Sequence, residues 1–245
     1  MSMNKNKIIL CEGPTDAILL SYYLGKVAGW GFCRKPPKDI AINGEEIGQS
    51  INWYARGEER LLICGVGGKD NIGRFFSDRI LRPIIDAGAF SKIALILDRD
   101  DKEIDSIEKH ASAIFSPVVT TMKNNCWMVN RYKDAFDMDQ ALKALLVVIP
   151  TEHQGALETI ILDAISEDPY DGVIVEKSGR FVEEMRHMAS RYIVNNRAQL
   201  KAHLGVTWAV QYPEKVFKLI NEQIESVAWE KSEVLNKCFE ELVKI

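Results

Sequence analysis

Acidic side chains stand directly after two apolar stretches of this sequence. Glu12 follows KIILC (residues 7–11), and Asp98 and Asp100 follow KIALIL (residues 92–97). Carboxylates brought close together repel one another unless a cation neutralises them, and their oxygens are the ligands that hard divalent cations prefer. If the two acidic turns lie side by side, we expect Glu12, Asp98 and Asp100 to form a metal site. An extended backbone across Asp98-Arg99-Asp100 would leave both acids on one side.

A third polar turn, Gly67-Gly68-Lys69, follows RLLICGV (residues 60–66). The glycines permit a tight turn whose backbone approaches the site closely, and Lys69 is a candidate for touching a phosphate. The segment matches neither G-x-x-x-x-G-K-[ST] nor a full G-x-G-x-x-G. We therefore favour a phosphate-facing turn made by Gly67, Gly68 and Lys69 over a nucleotide-binding loop.

The apolar stretches alternate with helical patterns, which run over 17–24, about 71–87 and 103–115. Apolar strands separated by helices indicate an α/β fold, Rossmann-like, with a mostly parallel central sheet flanked by helices. Ligands bind outside the carboxyl ends of the strands in such sheets. All three polar turns stand at such strand ends.

The chain divides into an expected α/β core over 1–165 and a helical C-terminal extension over 166–245 that packs on it. Residues about 26–58 are rich in Gly, Pro and charge, which is typical of a surface insertion. A further extended piece is expected around Cys126–Val129. Another, Ala144–Ile149, ends before Pro150, which cannot continue a central strand.

Composition limits the classes of function. The formal net charge of -4 and pI of about 5.7 argue against a broad basic surface that wraps nucleic acid. The apolar stretch 7–11 is too short for a signal peptide or a membrane span, so we expect a soluble cytoplasmic protein that does not enter membranes. Five cysteines without a C-x-x-C pair indicate no zinc site or disulfide framework.

Three segments together resemble the toprim domain shared by topoisomerases, primases and OLD-type nucleases. IILCEGPTD is similar to the toprim E-G-x-x-D turn, GVGGKDN to its glycine-rich second turn, and LILDRDD to its D-x-D motif. The resemblance spans roughly residues 7–150. No zinc-finger or tyrosine-nucleophile domain is visible, so the small OLD-related nucleases are the more similar branch.

The resemblance implies that Glu12, Asp98 and Asp100 hold Mg²⁺ or Mn²⁺, with two ions expected, and that Glu12 also acts as general acid or base. Two ions 3.5–4 Å apart activate a water and stabilise the leaving oxygen in phosphodiester cleavage. OLD-like toprims use a further acid and a lysine, for which Glu158 and Lys201 are the candidates here, as metal ligand and catalytic residue. Asp16 occupies the last position of E-G-x-x-D.

The implied function is a metal-dependent nuclease, with DNA favoured over RNA, serving phage defence or DNA maintenance. Whether the protein forms a homodimer is left open. An alternative is a non-catalytic subunit that binds nucleic acid or nucleotide beside a separate ATPase, since this branch is often joined to ATPase domains. A response-regulator-like protein also clusters acids at strand ends, but the long segment after the first helix fits it poorly.

Ordinary structural roles compete with these assignments. Glu12 and Asp16 also suit the first turn of a helix, where the macrodipole favours acids. Asp98 and Asp100 also suit a solvated turn, and Glu158 and Lys201 an exposed helix face. Four arginines of the C-terminal part either face a phosphate or form a solvated surface, the latter being the default: Arg180, Arg186, Arg191 and Arg197.

Overall fold

The computed structural model describes residues 6–38, 40, 42, 46–188, 191–215 and 220–245. A seven-stranded sheet with the order β2-β3-β4-β1-β5-β7-β6 runs through it. The strands are β1 (Asn6–Cys11), β2 (Gly31–Phe32), β3 (Ser50–Arg56), β4 (Glu59–Gly65), β5 (Lys92–Asp98), β6 (Met128–Lys133) and β7 (Asp139–Ile149).

The centre of the sheet is parallel and its edges are antiparallel. Strands β4, β1, β5 and β7 pair in parallel, whereas β2, β3 and β6 add antiparallel strands at the two sides. The expected α/β fold, Rossmann-like with a mostly parallel central sheet flanked by helices and C-terminal helices, is thereby confirmed. The carboxyl ends of the four central strands share one edge.

Helices cover both faces of the sheet. Their bounds are α1 (Pro14–Ala28), α2 (Ile72–Phe75), α3 (Leu81–Ala87), α4 (Ile104–Ile114), α5 (Leu157–Ser166), α6 (Pro169–Met188), α7 (Asn196–Gln211), α8 (Ile220–Ser226) and α9 (Glu233–Cys238). The single helix expected over about 71–87 is formed by α2 and α3 with a π-helical turn, Phe76–Ile80, between them. Among the described residues, no helix is long and apolar enough to cross a membrane.

Alternate residues of each central strand feed two separate hydrophobic cores. In β1, Ile9 and Cys11 face the core under α1, α5 and the C-terminal helices, and Ile8 and Leu10 face the core under α2, α3 and α4. All four are fully buried. A strand buried on both faces must be apolar throughout, which is why β1 and β5 read as continuous apolar runs.

The C-terminal helices share the first of these cores. Phe239 is fully buried and its ring lies 5.3 Å from that of Tyr23 on α1. The Tyr23 hydroxyl donates to Asn236 Oδ1 at 2.8 Å, and Trp127 Nε1 donates to the Glu241 carbonyl at 2.9 Å. These contacts tie the end of the chain to its beginning.

The segment expected as a surface insertion, 26–58, adds two strands to the sheet. β3 pairs antiparallel with β4 along its whole length, and Trp53 is buried with its ring stacked 6.3 Å from Phe90. The sequence pattern did not reveal β3 because only Trp53 of its seven residues is buried, so β3 lacks the long apolar run of a central strand. Residues 39, 41 and 43–45 of this segment lie outside the described part.

The extended piece expected at Cys126–Val129 is placed slightly too early. β6 begins at Met128 and pairs with β7 as an antiparallel edge strand. β7 ends at Ile149, directly before Pro150, as the missing N–H of proline requires.

Candidate functional site

Glu12 stands at the junction of β1 and α1, and only 3% of its surface is exposed. Gly13 follows it as the residue before the helix, and its N–H donates to Asp16 Oδ2 at 2.5 Å. Gly65, at the end of β4, lies so close to this turn that a Cβ there would be 2.4 Å from the Gly13 carbonyl oxygen. The glycine at 65 therefore sets how closely the two strand ends approach.

Asp98, at the end of β5, lies beside Glu12. The Asp98 backbone N–H donates to Glu12 Oε1 at 3.1 Å, and Asp98 is likewise 3% exposed. Its Oδ1 accepts the Leu157 N–H at 2.9 Å, at the amino end of α5, where the helix dipole favours an anion. The structure thus brings together two acids that are 86 residues apart, with both carboxylates held in place by backbone donors.

Asp100 joins the site through a bend rather than an extended strand. Its backbone is left-handed, with φ of 53°, and its N–H and carbonyl both pair with Gly155. The assumption of an extended backbone across Asp98-Arg99-Asp100 is therefore wrong. The Asp100 side chain is 35% exposed, against 4% for that of Asp98, so it lies at the mouth of the site.

Two cations reach the three acids. Lys69 Nζ donates to the Asp98 carbonyl and to Asp100 Oδ2, each at 3.0 Å, and lies 3.8 Å from Glu12 Oε1. Arg197 Nη2 donates to Asp98 Oδ2 at 3.0 Å and to Glu12 Oε2 at 3.2 Å. Both acids of the central pair are thus bridged by one guanidinium nitrogen.

Burial makes two acids of this region, Asp98 and Asp16, hard to ionise. Desolvation raises the pKa of Asp98 to about 8, and the charges of Glu12 and Asp16 push it in the same direction, while Arg197 opposes them. Desolvation also raises the pKa of Asp16 to about 7, against the hydrogen bond from Gly13. For Arg197, desolvation lowers the pKa, but the charges of Asp98 and Glu12 outweigh it and raise the pKa. The crowded negative charge favours a bound cation.

Gly67 and Gly68 shape the turn after β4 in conformations with positive φ, 81° and 126°. The Gly68 N–H donates to the Glu12 carbonyl at 2.7 Å, and Asn71 Nδ2 donates to the Gly67 carbonyl at 2.9 Å. The Gly68 N–H is therefore engaged by the protein itself. The turn's contribution to the site is Lys69, which it aims at the acids.

Glu158 and Lys201 line a neighbouring cavity of about 380 Å³ together with Thr15, Leu157 and Trp208. Glu158 is close enough for its charge to raise the pKa of both Asp98 and Asp16. Within the described part of the chain, no hydrogen bond or ion pair joins Glu158 or Lys201 to Glu12, Asp98 or Asp100. The two residues are thus placed beside the central cluster.

Arg197 is the residue of the site that local sequence reasoning did not single out. It lies one turn before Lys201 on α7, and it appeared only as one of four arginines. The other three lie elsewhere: Arg180 pairs with Glu176, Arg186 with Gln199, and Arg191 lies over the Tyr192 ring. The available signal was the spacing of four residues between Arg197 and Lys201, which puts both on one helix face.

The donor set fits a hard divalent cation. Glu12, Asp98 and Asp100 offer carboxylate oxygens, and the Asp98 carbonyl adds another. Among the described residues, no group of three ligating side chains stands preassembled for a metal. Lys69 and Arg197 lie among these oxygens, and the residues fit a cation once Arg197 yields its contacts with Glu12 and Asp98.

No protein-family model and no curated protein matches the chain. Among solved structures, the chain is similar to the crystal structure of hypothetical protein PH0156 from Pyrococcus horikoshii OT3, with 15% identity and a TM-score of 0.48 over 97% of this chain and 99% of that one.

Proposed function

We propose that this chain is a metal-dependent phosphodiester hydrolase of toprim type that acts on nucleic acid, with Mg²⁺ or Mn²⁺ held by Glu12, Asp98 and Asp100. The observation that carries the proposal is the convergence of two buried carboxylates, Glu12 Oε2 and Asp98 Oδ2, on one cationic nitrogen at 3.2 and 3.0 Å. Two buried acids of this kind are retained at a cost in folding energy, which is typical of functional sites.

The residues of the site have distinct roles in this proposal. When bound, the metal ions supply an activated water and stabilise the leaving oxygen. The backbone N–H groups of Leu157 and Asp98 orient the ligand carboxylates of Asp98 and Glu12. Glu12 acts as general acid or base, and Lys69 lends a fixed positive charge to the phosphate as its negative charge grows.

Glu158 enters the proposal as a ligand of a second ion through the toprim resemblance, and its charge is near enough to raise the pKa of Asp98. Lys201 shares a cavity with Glu158 and is proposed to contact the substrate there. The toprim resemblance supports DNA over RNA as substrate, and a cytoplasmic role in phage defence or DNA maintenance.

The test combines metal binding with cleavage. Isothermal titration of Mg²⁺ and Mn²⁺ into the wild type, Glu12→Gln and Asp98→Asn is expected to show affinities reduced roughly 10- to 100-fold in both variants, with cleavage of DNA and RNA oligonucleotides lost in parallel. Asp101→Asn is the matched control, since Asp101 is exposed in the same turn and only its backbone carbonyl accepts a bond, from Gln154. Cleavage that survives both substitutions, or absence of metal binding by the wild type, would refute the proposal.

One observation favours a second candidate, a non-catalytic subunit that binds nucleic acid or nucleotide beside a separate ATPase. Arg197 and Lys69 form ion pairs with these acids, so the protein's own cations offset much of the negative charge at the site. A wild-type protein that binds DNA in EDTA as tightly as in Mg²⁺, and cleaves nothing, would select this candidate over the first.

A further inference from the structure

Arg197 reaches the site from the surface, unlike the acids it contacts. It is the second residue of α7, whose first turn is capped by the Asn195 side chain accepting the Ala198 N–H at 2.8 Å. The Arg197 side chain is 47% exposed, whereas those of Glu12 and Asp98 are 4% exposed. The guanidinium can therefore leave the acids without opening the hydrophobic core.

Arg197 and a divalent ion compete for the same atoms. Its Nη2 lies within hydrogen-bond distance of Glu12 Oε2 and Asp98 Oδ2, which are the oxygens offered to a shared cation. A metal ion coordinates carboxylate oxygens at about 2.0–2.6 Å and repels a guanidinium bound to the same oxygens. Arg197 and a divalent ion therefore cannot bind the Glu12 and Asp98 carboxylates at the same time in this arrangement.

Lys69 differs from Arg197 in ways that let it remain. Its side chain is only 16% exposed, and its amine is also held by the Asp98 backbone carbonyl. The turn that carries it is fastened to the site by the bond from Gly68 to the Glu12 carbonyl. Of these two cations, Arg197 is the one that can be exchanged.

A freed Arg197 would face a large groove. The groove, about 900 Å³, runs between α6 and α7 from Asp100 at the site, and Asn195, Arg186 and His203 also line it. Arg186 is engaged with Gln199 and His203 with the Val175 carbonyl, so neither side chain is as free to reach a ligand. A guanidinium released at the site end of this groove presents a planar set of donors that matches a phosphate.

We propose that Arg197 is a cation-exchange residue: it holds Glu12 and Asp98 together in the metal-free chain, yields them to the divalent ion, and then binds a backbone phosphate of the nucleic acid in the groove between α6 and α7. This inference rests on the proposed metal-dependent function. It deepens that function by coupling metal entry to substrate binding through one side chain.

The experiment uses the full chain and measures its affinities for Mg²⁺ and for DNA. The proposal predicts that loss of Arg197 changes these two affinities in opposite directions. Isothermal titration of Mg²⁺ in the absence of DNA is expected to show about fivefold tighter binding by Arg197→Ala than by the wild type, the size of one half-exposed ion pair. Fluorescence anisotropy of a labelled single-stranded DNA oligonucleotide in Ca²⁺ is expected to show about tenfold weaker binding, with the salt-dependence slope reduced by about one.

Two further variants keep the test decisive. Arg197→Gln removes the charge but keeps hydrogen-bond donors to the acids. It takes the place of Arg197→Ala if the alanine variant folds poorly without metal, and the same two changes in affinity are expected. Arg180→Ala removes an exposed arginine that pairs with Glu176 on α6, and both affinities are expected to stay at the wild-type level.

The outcomes separate this inference from the proposed function. Metal binding by the wild type with equal or weaker binding by both Arg197 variants would overturn the exchange role while leaving the metal site intact. Unchanged DNA affinity and salt slope would overturn the phosphate role. Absence of metal binding by the wild type and the variants alike would refute both the site and the exchange.

Discussion

The Asp98 backbone N–H donates to Glu12 Oε1 at 3.1 Å, so a strand-end acid is fastened to the backbone of the neighbouring strand. Strands β1 and β5 pair in parallel and in register up to Leu10 and Leu95, which brings their carboxyl ends to the same level. The bond then places the Glu12 carboxylate next to that of Asp98. Carboxylates oriented in this way need no large rearrangement to share a cation.

We expect Lys69→Met to separate metal binding from chemistry. The change removes the positive charge beside Asp100 and Glu12 while keeping an unbranched side chain that is only one atom shorter. If Lys69 stabilises charge on the phosphate, the cleavage rate at saturating metal falls by about 100-fold or more, and metal affinity is not weakened. Quenched time-course assays measure the cleavage rate, and calorimetric Mg²⁺ titrations measure the metal affinity.

Lys109→Met is the control for that substitution, because Lys109 is exposed on α4. A Lys69→Met protein that lost metal affinity as severely as Asp98→Asn would mean that Lys69 serves to position the ligands instead.

We expect Gly65→Ala to disturb the site by moving a turn. The new methyl group would lie 2.4 Å from the Gly13 carbonyl oxygen and 2.8 Å from the Pro14 nitrogen, both backbone atoms that cannot rotate away. The free energy of unfolding is expected to fall by about 2 kcal/mol, as for other overpacked positions, and Mg²⁺ affinity to fall with it. Urea denaturation and calorimetry test the two effects.

Gly205→Ala provides the contrast to Gly65→Ala. A Cβ at Gly205, inside α7, would meet no atom within 4 Å, so the substitution is expected to stabilise the helix by roughly 0.5–1 kcal/mol. Equal effects of the two alanines on stability would show that the contact with Gly13 is unimportant.

We expect the metal-free protein to lose stability as pH rises, because of acids such as Asp16. The pKa of Asp16 is raised from 3.8 to about 7 in the folded chain, so between these values the folded state binds more protons than the unfolded state. Stability then decreases with rising pH through this window, and the loss is complete above the folded-state pKa. Asp98, with its pKa raised to about 8, extends the loss to higher pH.

Urea denaturation in EDTA at about pH 5 and about pH 9 measures this effect, and Asp16→Asn is expected to reduce the loss by roughly 1–3 kcal/mol. The asparagine amide keeps an oxygen that accepts the Gly13 N–H. Asp86→Asn, at an exposed position of α3, serves as the control. The same pH dependence in wild type and Asp16→Asn would contradict the prediction, as would a rise of stability with pH.

Local sequence was sufficient to predict the central strands and the acids that end them. A strand buried on both faces must be apolar along its length, so β1, β4, β5 and the inner half of β7 are visible as runs, and polar residues mark where each run stops. Parallel strands put those stops at one edge. Glu12, Asp98 and Asp100 could therefore be predicted as neighbours from local pattern and one general rule of sheet topology.

Only the tertiary structure decided how these acids are neutralised. Arg197 meets Glu12 across 185 residues because α7 packs beside α6 and α5. The four-residue spacing from Arg197 to Lys201 indicates a shared helix face, but it does not reveal which distant turn that face meets. The left-handed turn at Asp100 likewise depends on its pairing with Gly155. Burial against a sheet leaves a repeated mark on local sequence, whereas a single contact between a helix end and a distant turn leaves none, because it is created by the packing of whole elements.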